Sequence, residues 1–146
     1  MVRSISGMVM IAIAAGSLMV GCGKAKRPNE LAVYPVKGRF TRNGEPMSYA
    51  VVTFFPTGTD FASSLKSRAN CDQDGNFELT TYELKDGAPV GEYQVVLYWP
   101  MTKPDPDAME APDPPDKLMH AYSDPKKSKL TATVKDEPNF IEFKLP

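Results

Sequence analysis

The sequence predicts an all-β protein, a single β-sandwich of about seven short strands. Three observations carry that expectation. Period-two alternation of apolar and polar residues recurs through residues 31 to 146. Turn-forming Asn, Asp, Gly and Pro residues separate the alternating runs. No long stretch has the 3.6-residue periodicity of an amphipathic helix.

Val36, Gly38 and Phe40 alternate with Lys37, Arg39 and Thr41, as in a strand with one buried face. Asn43-Gly44 supplies the two left-handed residues that a tight hairpin turn requires. The run Tyr49-Ala50-Val51-Val52-Thr53-Phe54-Phe55 is apolar on both faces and is expected at the centre of a sheet, with Pro56 ending it. A weaker strand is expected from Leu65 to Ala69. Asp72-Gln73-Asp74-Gly75 reads as a turn, and Phe77, Leu79 and Thr81 lead out of it on one face. After the loop from Asp86 to Gly91, a strong strand runs from Glu92 to Trp99. Its Tyr93, Val95, Leu97 and Trp99 face one way, and Val96 and Tyr98 the other. Leu130 to Val134, a turn over Asp136 to Asn139, and Ile141 to Leu145 complete the set.

The segment from Pro100 to Pro125 breaks the pattern. Pro104, Pro106, Pro112, Pro114 and Pro115 lie inside it, with Asp105, Asp107, Glu110, Asp113 and Asp116 among them. Proline removes backbone donors and fixes φ, so an extended excursion is expected there, neither strand nor helix. A loop this long in a small domain is functional or mobile.

The N-terminus has a different composition. Arg3 is the only charge before Lys24, and Met8 to Ala15 form an apolar run followed by small residues. That is the layout of an export signal. Its end, Leu18-Met19-Val20-Gly21-Cys22, resembles the lipobox of bacterial lipoproteins, with Met19 where leucine is usual. The resemblance implies that residues 1 to 21 are a helical signal peptide, that a diacylglycerol joins the Cys22 thiol, and that acylated (palmitate-type) Cys22 becomes the mature N-terminus. Residues 22 to 30 then form a tether and residues 31 to 146 one domain. Each acyl CH₂ buried in a bilayer adds about 0.8 kcal/mol, so several chains anchor firmly. The expected location is the cell envelope, at the outer membrane or the extracytoplasmic face of the inner membrane.

The full chain carries a formal net charge of −1, and losing Arg3 with the signal makes it more acidic. That balance excludes nucleic acid as an expected partner. Lys24, Lys26 and Arg27 sit beside the lipid, too few for a polybasic membrane signal. With Cys22 acylated, Cys71 has no partner for an internal disulfide.

Several segments together resemble bacterial carboxypeptidase-regulatory-like lipoproteins, whose domains are transthyretin-like (prealbumin-like), immunoglobulin-like β-sandwiches. The matching stretches are Tyr34 to Phe40, the Asn43-Gly44-Glu45-Pro46 turn, Phe54-Phe55-Pro56, Asp72 to Phe77, Gly87 to Tyr93, Tyr122 to Pro125 and Ser128 to Thr131. The resemblance spans nearly all of the mature chain and implies a sandwich of about seven strands. That family has no common activity, so it implies no catalytic residue and no cofactor.

Asp72, Asp74 and Asn76 have the spacing that opens a calcium loop, and Glu83 stands at its twelfth position. Gly75 comes two places early for such a loop, and Phe77 to Thr80 read as strand, so a capped turn is the plainer expectation. His120 is the only histidine, which excludes a multi-histidine metal site. A hydrolase on this fold uses several histidines and a C-terminal Tyr-Arg-Gly-Ser; this chain ends Phe143-Lys144-Leu145-Pro146. Lys37 and Asn139, with Glu78, are the pair for a self-formed isopeptide bond. Lys37 falls on the solvent face, however, whereas that chemistry needs a buried lysine with a lowered pKa. Tyr98, Tyr49 and Tyr122 are expected to expose their rings, with Tyr98 and Tyr122 the ligand-facing pair.

The expected function is a membrane-anchored, non-catalytic envelope module that engages another protein or scaffold through strand edges and loops. The alternatives are a carbohydrate-binding module and a hydrolase using His120. Cys22→Ser is expected to leave the chain unacylated and still carrying residues 1 to 21. Intact mass of the membrane-extracted protein checks this; a wild-type chain without lipid would refute the anchor.

Overall fold

Ten strands follow one another in a computed structural model that describes residues 28 to 105 and 112 to 146. They are β1 (Val33–Tyr34), β2 (Val36–Arg42), β3 (Glu45–Pro46), β4 (Val51–Pro56), β5 (Ser67–Asn70), β6 (Asn76–Glu78), β7 (Ala88–Pro89), β8 (Gly91–Tyr98), β9 (Thr131–Val134) and β10 (Asn139–Leu145). The expected signal-peptide helix and Cys22 lie outside the described residues, as do Pro106, Asp107 and Glu110 of the long loop. The chain divides into a unit up to Glu30 and a second unit, Leu31–Pro146, that holds every strand.

The fold is an all-β sandwich. One sheet has the order β5-β4-β8-β9, all antiparallel. In the other, β2 is central: β10 runs parallel along one side of it, while β3 and β6 pair with successive stretches of its other side. A two-residue ribbon of β1 and β7 covers the entry to β2. Where β6 ends, Thr80 exchanges backbone hydrogen bonds of 2.8 and 2.9 Å with Arg68 of β5, tying the two sheets at one corner.

Alternation decides which side chains fill the space between the sheets. Val36 and Phe40 of β2, Phe77 of β6 and Phe143 of β10 enter from one side. Val52 and Phe54 of β4, with Tyr93, Val95 and Leu97 of β8, enter from the other. The Phe40 and Phe143 rings stack with centroids 4.4 Å apart, and Phe54 meets Phe143 edge-on at 6.4 Å. Offset and edge-to-face contacts suit the aromatic quadrupole, beyond the gain from burial itself. Gly38 is what lets Phe77 lie across β2: a Cβ there would sit 2.1 Å from the Ile141 carbonyl oxygen and 2.5 Å from the Phe77 ring.

The structure refines the expected strands. Asn43 (φ 50°) and Gly44 (φ 85°) make the anticipated tight turn, which folds β3 back on β2. β4 begins at Val51, not Tyr49, because Tyr49 takes a left-handed φ of 61°. Pro56 closes β4 from within, opposite Tyr93. β5 runs Ser67–Asn70, starting two residues and ending one residue later than expected, and β10 starts at Asn139, one residue inside the expected turn. Strands beyond the expected set are mostly two-residue pairings, too short for alternation to reveal.

Tyr93, the third residue of β8, has its ring in the core and its hydroxyl donating to the Pro89 carbonyl four residues upstream, at 2.7 Å. A tyrosine bonded back to its own chain in this way pins the corner between strands. Burial, with a smaller push from Tyr82, raises its pKa from 10.0 to about 12. The folded state therefore holds this proton after the unfolded chain has released it. The resulting stabilisation is complete below pH 10 and is lost as pH rises from 10 towards about 12. Tyr93→Phe is expected to cost about 1 kcal/mol at neutral pH, and its stability is expected to fall less steeply between pH 10 and 12. Urea unfolding midpoints across that range check both.

Candidate binding cleft

Strand register brings the cleft together. Val51 of β4 lies opposite Tyr98 of β8 on one side and Asn70 of β5 on the other. The three side chains form a row on the outer face of the sheet, opposite the core face that carries Val52, Leu97 and Ala69. Tyr49 stands just before β4, and the long loop passes over the row with Lys103, Pro104, Asp113 and Pro114. The recess between them, open to solvent, has a volume of about 450 Å³.

Two contacts hold the loop against the sheet. The Tyr98 hydroxyl donates a short hydrogen bond to the Pro114 carbonyl. The Lys103 ammonium lies over the Tyr49 ring, 5.4 Å from its centroid. Desolvation, helped by the negative charges of Asp113 and Asp116, raises the Tyr98 pKa and keeps its hydroxyl a donor.

The base of the loop is a hairpin stem, where sequence alone predicted extended excursion throughout. Met101 N–H donates to Pro115 O (2.9 Å), and Lys117 N–H to Trp99 O (2.8 Å). Asp116 secures this stem from a buried position. Its Oδ1 accepts N–H bonds from Trp99 and Leu118, and its Oδ2 accepts one from His120, all at 3.0 Å. Met119 and His120 take left-handed φ values of 49° and 61° as the backbone curls round the carboxylate. The Trp99 indole N–H donates to Ser48 O (3.0 Å), with the Lys117 ammonium 4.4 Å above the ring centroid. Trp99 is half-buried against the core, on the side that alternation assigns to it.

The other residues singled out in the sequence are spread apart. Tyr122 packs half-buried against the core and is not in the cleft with Tyr98. His120 is largely exposed, with Nδ1 3.8 Å from Asp116 Oδ2, a carboxylate already engaged by backbone. Cys71 borders the cleft but is buried; desolvation, then the Asp72 charge, pushes its pKa up to about 12 and keeps the thiol protonated. Lys37 is exposed and pairs with Glu78 at 3.1 Å, which holds the glutamate below its usual range. The Asn139 side chain instead closes the turn before β10, accepting from Lys135 N–H (2.9 Å) and donating to Lys135 O (3.1 Å). Lys37, Asn139 and Glu78 therefore do not form an isopeptide site.

Asp72, Asp74 and Asn76 form a capped turn. Asp72 Oδ1 accepts the N–H groups of Asp74 and Asn76, both at 2.9 Å, and Oδ2 accepts from Asn76 Nδ2 at 3.2 Å. Desolvation pushes the Asp72 pKa up, but these hydrogen bonds and the Arg39 charge outweigh it and hold it low. Asp72 and Asn76 border a hollow of about 580 Å³ that also contains Arg68 and Lys85, which oppose a cation. Near Glu83 the chain is capped by Asp86, whose carboxylate accepts N–H bonds from Thr81, Tyr82 and Glu83 at 2.7 to 2.9 Å. Among the described residues, no three His, Cys, Asp or Glu side chains gather as a metal ion would require. Nor is any helix there long and apolar enough to cross a membrane.

Fold and cleft together define a small all-β module with a loop-covered aromatic recess. No family model, curated protein or solved structure matches the chain.

Sequence reading reached Tyr98 and Tyr49 but missed Asn70, Lys103, Asp113 and the role of Asp116. An aspartate directly after Pro114-Pro115, where a turn begins, is the signal that marks Asp116. Asp116→Ala is expected to leave three backbone donors without their acceptor and cost about 2 to 4 kcal/mol. Urea denaturation measures the loss, and limited proteolysis is expected to cut the loop between 100 and 125 sooner. Unchanged stability would remove the pinning role.

Proposed function

We propose that this chain is a lipid-anchored module of the cell envelope that works by binding a protein partner, without catalysis. The observation that carries the binding half is the convergence of Tyr49 and Tyr98 in one recess beneath the proline-rich loop. Aromatic side chains dominate protein interfaces because they bury large area at small entropic cost. Prolines in the covering loop lower that cost further by restricting it before binding. The anchor rests on Leu18 to Cys22 and on the tether that follows. The resemblance to carboxypeptidase-regulatory-like lipoproteins supports the anchor half.

The non-catalytic reading draws on the placement of the reactive groups. His120 faces solvent, its carboxylate neighbour is engaged by backbone, and the Cys71 thiol is held protonated. A nucleophile needs an adjacent base or a lowered pKa. A carbohydrate ligand is the second reading, favoured by the pairing of two tyrosine rings with the polar side chains of Asn70 and Asp113.

A photo-crosslinking residue in place of Lys103, activated in intact cells, tests the site. A discrete protein adduct, lost when Tyr98→Ala is added, is the expected result. A glycan adduct would favour the second reading, and no adduct dependent on Tyr98 would overturn the cleft as the binding site.

A further inference from the structure

β10 ends its sheet. β2 covers one side of it from Asn139 to Leu145, and among the described residues no strand pairs with the other side. The direction of its backbone groups follows from both ends of the ladder. Asn139 N–H donates to Pro35 O at 2.8 Å, and Leu145 O accepts from Asn43 N–H at 3.0 Å. In a parallel ladder such residues alternate with ones that point away from the neighbour. Asn139, Ile141, Phe143 and Leu145 therefore bond to β2, while Phe140, Glu142 and Lys144 turn their N–H and C=O groups outward.

The same three residues carry exposed side chains. Phe140 is 68% exposed, and the side chains of Glu142 and Lys144 are 51% and 76% exposed. An edge with free backbone groups and an uncovered aromatic ring is a template for another strand.

We propose that the β10 edge pairs, antiparallel, with the β10 edge of a second copy of this chain about a twofold axis at Phe143. Charge selects this partner and this register. A twofold axis at Glu142 would set that carboxylate against itself. An axis at Ile141 would put Glu142 opposite Phe140 of the partner subunit and leave Lys144 facing the partner's Pro138. The axis at Phe143 places Glu142 opposite the partner's Lys144, and Lys144 opposite the partner's Glu142. Both are directly opposed pairs in which each residue gives and accepts a backbone hydrogen bond. The same register lays Phe140 against the partner's Pro146, covering an exposed ring with an apolar one. Within one chain Glu142 and Lys144 already lie 3.5 Å apart, so the twofold builds four alternating charges from two existing pairs. This edge is separate from the Tyr49–Tyr98 cleft, and the pairing does not depend on what the cleft binds.

The test co-expresses a tagged and an untagged full-length copy and measures how much untagged chain the tagged one recovers from detergent extract. Wild-type copies are expected to recover each other. Glu142→Lys in both copies, or Lys144→Glu in both, sets like charges opposite and is expected to lower recovery roughly fivefold or more. A Glu142→Lys copy mixed with a Lys144→Glu copy restores opposite charges at both pairs, and recovery is expected to return to the wild-type level. That rescue separates pairing from misfolding, because each single variant is present in it. No recovery between wild-type copies, or recovery indifferent to the reversals, would overturn the proposal.

Discussion

The parallel pairing of β2 with β10 is the constraint on which the rest of the domain depends. It joins the beginning of the sandwich to its end, over seven residues in unbroken register. That contact cannot form until the chain between has turned back on itself, so the closure is among the most non-local in the molecule. What makes it possible is a missing side chain. Gly38 leaves room for the Ile141 carbonyl on one side and the Phe77 ring above, and any Cβ would collide with both. With Gly38 fixed, Phe77 reaches across β2, Phe40 stacks on Phe143, and Phe54 from the facing sheet closes the group. The seating of Phe77 across β2 and the close pairing of β2 with β10 both rest on that one close approach.

A second device operates in the loops. Asp72, Asp86 and Asp116 each gather several N–H groups of a neighbouring turn, and among the described residues none of them takes part in a metal cluster. Such turns carry backbone donors that sheets do not satisfy, and a carboxylate with two oxygens satisfies several at once. At Asp116 the device is buried, and it converts a proline-rich excursion into a stem with a defined position over the sheet. The recess beside Tyr98 exists because that stem is held there.

How much of this was legible in the sequence depended on range. Strands whose alternation is long, such as Val36 to Arg42 and Gly91 to Tyr98, were readable because side-chain period and burial agree. So was the Asn43-Gly44 turn, whose backbone demand is met within the two residues themselves. Tyr49 read as strand because its neighbours are apolar; its left-handed φ arises from tertiary contacts, including its N–H bond to Asp72 O. In the cleft, Tyr98 was legible as the outward member of an alternating strand. Asn70, Lys103 and Asp113 were not, since they join it only through the register of β4 and the return of the long loop. Tyr122 lies apart from that cleft, its ring packed partly buried against the core.

The allocation of polar groups supports the binding role proposed above. Catalysis needs a side chain left poised, with a shifted pKa and a free path to substrate. Here the strongest shifts lie on Cys71 and Tyr93, and in both burial favours the neutral, inert form. Asp116 is bound to backbone N–H groups, and Glu78 is paired with Lys37. What remains accessible among the described residues is different in kind: aromatic faces at Tyr49 and Tyr98, and unpaired backbone along β10. Rings and strand edges offer area and directional hydrogen bonds without chemistry, which is what a surface needs in order to hold a partner rather than transform it.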